Sequence, residues 1–195
     1  MKIRNLSATL LIGLGAISAF AQTTADTVQR DVNQQTRIEN GLKDGSLNTK
    51  EAGRLEKEQS QIDHMQAKDL KDGKLSPAER AQLRKAQDKA SRDIQADRSN
   101  GVKGNPNSAS SQRMQADVQR NVNQQTRMEQ GVKSGALTNR ETGKLERGQA
   151  RVDRKEARAA QNGHVGKGEQ AGIQRAENRQ SARIFDKKHN ANVKK

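Results

Sequence analysis

Leu42-Lys43-Asp44-Gly45-Ser46-Leu47-Asn48-Thr49-Lys50-Glu51-Ala52-Gly53-Arg54-Leu55 is the stretch that decides the fold. Gly45 supplies the left-handed residue that closes one helix, Asn48 caps the next, and Glu51 follows the cap at capping-box spacing. The pattern returns 28 residues later as Leu70-Lys71-Asp72-Gly73-x-Leu75-x-x-x-Glu79-x-x-x-Leu83, with Ser76 as cap and Pro77 in the first helical position. Two further corners are centred on Gly135, followed by Thr138 and Glu141, and on Gly163. Gly166 replaces the capping side chain before Glu169, so this fourth corner is expected to be the loosest.

The four corners belong to a duplication. Val28–Asn100 aligns with Val118–Asn190 at a shift of 90 residues without a gap, and 28 of the 73 pairs are identical. The spacing predicts helices over about 27–43, 49–70 and 77–98, with equivalents at about 117–133, 139–161 and 167–188. Each carries a narrow apolar stripe: Val28, Val32, Gln35, Ile38 and Leu42 in the first; Ala52, Leu55, Gln59, Ile62 and Leu70 in the second; Leu83, Ala86, Ala90 and Ile94 in the third. Glutamine interrupts two of the three. The expected fold is all-α: two tandem three-helix repeats of antiparallel hairpins, at 22–100 and 117–190, joined by a flexible linker at 101–116. A basic tail at 191–195 follows.

The amino terminus reads as an export signal, with Lys2 and Arg4 ahead of an apolar run from Leu10 to Phe20 and a small-x-small end at Ala19-Phe20-Ala21. The run is shorter than the roughly 20 residues that span a bilayer, so cleavage after Ala21 is expected, with no membrane span thereafter. The expected location is periplasmic or secreted. The chain has no cysteine, which excludes disulfide staples, and Phe185 is the only aromatic residue after the signal, so any core is thin and aliphatic. Without stacking platforms, specific nucleic-acid binding is not expected.

Beyond Ala21 the charge is 35 − 23 = +12, and it is unevenly shared: +2 over Val28–Asn100 and +8 over Val118–Asn190. Arg151, Arg154, Lys155 and Arg158 share one helix face, while Arg175, Arg179, Arg183 and Lys187 recur every four residues on the next. These two stripes of the second copy are the candidate surface for an anionic envelope polymer or a partner protein. No catalytic pattern is present: there is no Gly-x-Ser-x-Gly elbow, His64, His164 and His189 are scattered, and the acids read as solvated helix faces beside Lys or Arg. The expectation is a non-enzymatic protein with no cofactor and a tendency to self-associate.

The corners also resemble degenerate EF-hand loops. Glycine stands at loop position six, an aliphatic residue at eight (Leu47, Leu75, Leu137, Val165) and glutamate at twelve (Glu51, Glu79, Glu141, Glu169). Position three lacks the side-chain oxygen that an EF-hand takes, being Leu42 in the first loop and Leu70 in the second, and position one offers one in Asn40 but not in Lys68. Calcium binding through Asn40, Asp44, Asn48 and Glu51 is therefore the alternative function, and capping boxes explain the same residues without metal. The whole pattern, from export signal to Lys188-His189-Asn190, resembles uncharacterised exported bacterial helical repeat proteins. That resemblance implies an envelope location and a helical fold. An envelope stress chaperone is a third reading, with the sparse apolar stripes as client surface.

Overall fold

The computed structural model describes residues 23–191, so the expected signal peptide (1–21) and nearly all of the basic tail lie outside the described residues. Six α-helices account for the architecture: α1 (Thr24–Asp44), α2 (Thr49–Asp69), α3 (Pro77–Ser99), α4 (Ala109–Lys133), α5 (Asn139–Ala159) and α6 (Lys167–Lys188). Single 3-10 turns, Leu70–Asp72 and Ala160–Asn162, extend α2 and α5. Among the described residues there is no strand, and no helix is long and apolar enough to cross a membrane.

The corners form as the sequence dictates. Gly45, Gly73, Gly135 and Gly163 all have positive φ, between 73° and 91°. Asn48 with Glu51, Ser76 with Glu79 and Thr138 with Glu141 each close a reciprocal capping box. At Gly166 only the backbone half survives, its N–H donating to Glu169 Oε2 at 2.8 Å.

Helix α4 begins at Ala109, eight residues before the expected start at 117, because Ser108 caps it by accepting from the Ser111 N–H. The rest of the expected linker is docked. Gly104 N–H donates to Gly45 O at 2.9 Å, and Gln115 Nε2 donates to Pro106 O at 2.8 Å. A side chain at Gly104 would run into Leu47 O, so the linker lies flush against the first corner.

The helices pair across the duplication. The principal packing partners are α2 with α5 and α1 with α4, and both pairs run antiparallel. Val28 clusters with Met128 and Val132, while Ile38 and Leu42 cluster with Met114 and Val118. Gly53 faces Ala160 at one end of the α2–α5 contact, and Gly143 faces Leu70 at the other; these are equivalent pairs at the 90-residue shift. A Cβ on Gly143 would lie 2.9 Å from that of Leu70, so the two helices approach backbone to backbone. Near the middle, Ser60 Oγ donates to Ala150 O at 2.7 Å, and these too are equivalent positions. A pseudo-twofold axis therefore passes through the α2–α5 contact. Helices α3 and α6 flank the four-helix centre. The copies thus share one interior.

Candidate cation centre and basic face

That interior is polar. Eight carboxylates have no solvent exposure: Asp31 on α1, Glu56 and Asp63 on α2, Asp117 on α4, Glu146, Asp153 and Glu156 on α5, and Glu177 on α6. No lysine, arginine or histidine is buried among the described residues. The reading of the acids as solvated helix faces is thereby corrected. Positions 56, 59, 63 and 66 recur at helical spacing and place Glu, Gln, Asp and Gln on one stripe of α2, with Glu146, Gln149, Asp153 and Glu156 in the same register on α5. The Lys and Arg neighbours in sequence point to the opposite side. Alternation around the helix, not adjacency along the chain, decides which charges meet.

Carboxamides supply most of the hydrogen bonding. Gln35 Nε2 donates to Glu56 Oε2 at 2.9 Å, Gln66 Nε2 to Asp31 Oδ2 at 2.5 Å, and Gln87 Nε2 to Asp31 Oδ1 at 2.8 Å. In the second copy Asn121 Nδ2 donates to Glu156 Oε2 at 2.7 Å, and Gln149 Nε2 to Asn121 Oδ1 at 2.8 Å and Asp153 Oδ1 at 3.0 Å. Arg120 forms the one ion pair to any of the eight among the described residues, 3.0 Å from Glu177. These donors are too few. Glu56 Oε1, Asp153 Oδ2 and Glu156 Oε1 have no hydrogen-bond partner, and neither oxygen of Asp63 is reached by an amide, hydroxyl or backbone donor. Gln59, 1% exposed on the same stripe, has no partner for either amide atom.

Glu56, Asp153 and Glu156 each offer a carboxylate oxygen within 4.8 Å of the others. Burial raises the proton affinity of the whole set. It pushes Asp31 and Asp153 up to about 7, and raises Glu56, Asp63, Glu146 and Glu156 well above the ordinary carboxylate range with help from neighbouring carboxylates. Asp117 rises to about 7 and Glu177 to about 8, again chiefly through burial. An anion isolated from water in this way either takes up a proton or meets a cation. Oxygen donors alone, with no imidazole or thiolate, suit hard cations such as calcium.

The expected loop ligands lie elsewhere and are already engaged. Asp44 accepts from the Ser46 N–H at 2.8 Å and pairs with Arg98 at 2.8 Å. Asn48 and Glu51 cap α2, Glu51 also accepts from Asn100 at 2.8 Å, and Asn40 is exposed. The three histidines are exposed.

Arg151, Arg154, Lys155, Arg158, Arg175, Arg179 and Arg183 are exposed, and Lys187 is half-buried, 4.0 Å from Glu141. Arg154 and Arg158 do not act with the second copy alone: with Lys50, Arg54 and Lys57 of α2 they surround a groove of about 660 Å³ floored by Gly53, Ser60 and Ala157. Arg54 is the member held by an acid, Asp97. The α6 stripe does not enter this groove.

Comparison of the chain with protein-family profiles, curated proteins and solved structures finds no match.

Proposed function

We propose that the protein binds hard cations, of which calcium is the type, in the oxygen-only interior between α2 and α5. The export signal read at Lys2, Arg4 and Leu10–Phe20 supports a place in the periplasm or outside the cell, and no reacting group argues for catalysis. One observation carries the reading: eight fully buried carboxylates share an interior with no buried base among the described residues, and three of them converge within 4.8 Å. Calcium fits this chemistry better than magnesium, which keeps several waters that a packed interior does not admit. The test is calorimetry on chelator-stripped protein at neutral pH. Calcium binding that survives Glu51→Gln but drops at least about tenfold in Glu56→Gln/Glu156→Gln supports the core. Binding abolished by Glu51→Gln restores the corner loops, and no binding of any hard cation removes the function.

A second reading has its own observation, the groove between α2 and α5. Five cations from both copies around one groove, against the single carboxylate of Glu51, favour an anionic envelope polymer. Retention on heparin or lipopolysaccharide should then weaken steeply with salt and fall in Arg154→Gln/Arg158→Gln. Retention unchanged by those substitutions would count against the groove.

A further inference from the structure

We propose that the core holds two cations, at positions related by the duplication, and that an exchange of carboxylate for carboxamide between the copies keeps the two sites equal in charge. This rests on the cation reading above and concerns a second site. A shift of 90 residues takes Glu56 to Glu146, Asp63 to Asp153 and Gln66 to Glu156. The image of the assembled group Glu56, Asp153 and Glu156 is therefore Glu146, Asp63 and Gln66. Asp63 and Asp153 face each other across the pseudo-twofold axis, so they form the wall between the two sites.

Every member of the assembled group and its image carries at least one unpartnered oxygen: Glu56 and Glu146, Asp153 and Asp63, Glu156 and Gln66. Gln66 Oε1 has no donor, and neither has Glu156 Oε1, its counterpart. Asp63 lacks a donor on both oxygens, and Glu146 has Gln125 as its carboxamide neighbour, as Glu56 has Gln35. Gln59 is buried one turn before Asp63 with both amide atoms unpartnered, whereas its counterpart Gln149 holds Asn121 and Asp153. A carboxamide oxygen can ligate calcium in the place of a carboxylate oxygen, but it carries no charge and binds the ion more weakly.

Asp31 supplies the charge that Gln66 lacks. Gln66 donates to Asp31 at 2.5 Å in the first copy; in the second the polarity reverses, with Asn121 donating to Glu156 at 2.7 Å. By composition the two positions match, three carboxylates and one carboxamide each: Glu56, Asp153 and Glu156 with Asn121, and Glu146, Asp63 and Asp31 with Gln66; among the described residues only the first trio has its carboxylate oxygens within 4.8 Å of one another. Changing one member of a pair without the other would have left four carboxylates or two. Any buried acid–amide hydrogen bond also needs one partner of each kind, so the deciding readout is the number of ions and not stability.

The experiment is native mass spectrometry of chelator-stripped full-length protein reloaded with calcium, with a terbium luminescence titration in parallel. Two ions per chain are expected. Asp31→Asn should retain one and weaken the second at least about tenfold, and Asp31→Asn/Gln66→Glu, which gives the second site the composition of the first, should regain two. Asn121→Asp/Glu156→Gln, the reciprocal exchange, should also hold two and covers the case in which Asp31→Asn fails to fold. One ion in the unaltered protein overturns the second site and leaves the first standing; none removes the cation reading altogether. A folded Asp31→Asn/Gln66→Glu that still holds one, or a folded Asn121→Asp/Glu156→Gln that holds one, overturns the charge exchange.

Discussion

Asp63 concentrates the physical conflict in this protein. It is fully buried, its nearest polar company is Asp153, Glu146 and Asp31, and no amide or hydroxyl donor relieves it. Two carboxylates in contact cannot both stay ionised unless a cation lies between or beside them. Asp63→Asn removes one charge and nearly conserves volume, so two effects of opposite sign follow. Chemical denaturation of the metal-free protein should show a gain of about 1–3 kcal/mol, while calcium affinity falls. A loss on both measurements would mean that Asp63 is held by hydrogen bonding alone. The signal that marks such residues was present in the sequence but runs against habit. Gln35, Glu56, Gln59 and Asp63 are identical to Gln125, Glu146, Gln149 and Asp153, whereas exposed positions exchange freely, as Lys57 for Arg147 or His64 for Arg154. Polar identity on one helix stripe was the clue to an inward face; read residue by residue, the same glutamines were breaks in an apolar stripe.

The four corners were legible because caps are local: a glycine, a Ser, Thr or Asn, and a glutamate three residues on fix a corner without reference to the rest of the chain; the start of α4 was not, because its Ser108 cap lies in a stretch of linker composition with no glutamate three residues on. Pairing of the helices was not legible, since the sequence favours neighbours within a copy while the structure packs α2 on α5. The reason lies in small residues at Gly53 and Gly143, which let these helices touch at their backbones. Gly53→Val should therefore separate α2 from α5, costing about 1–3 kcal/mol in thermal or chemical unfolding, and should weaken cation binding along with it. Gly172 in α6 is the contrast. A Cβ there meets only Arg175 Nη2, at 3.9 Å, so Gly172→Ala should stabilise by about 0.5–1 kcal/mol and leave binding unchanged. Equal effects of the two substitutions would show that the α2–α5 approach is not special.

The whole molecule is a basic surface around an acidic interior, joined by a duplication whose halves complete each other. Its stability should follow the proton affinity of that interior. Asp31, Asp117 and Asp153 are raised to about 7 and Glu177 to about 8, so the folded metal-free state binds more protons than the unfolded chain between about pH 4 and pH 8. Stability is then fully present below the ordinary carboxylate range and declines as pH rises towards 8. Thermal unfolding in chelator should show the melting temperature falling from pH 5 to pH 8, and saturating calcium should flatten or reverse that slope; a melting temperature that rises with pH in chelator would contradict the buried carboxylates. Net charge and duplication were readable from the sequence at this scale, but the segregation of charge into surface and interior needs three dimensions. The most direct test is anomalous scattering from crystals of the protein loaded with terbium. Two peaks flanking Asp63 and Asp153 between α2 and α5 are predicted; peaks confined to the corners at Gly45, Gly73, Gly135 and Gly163, or none in the interior, would contradict the account.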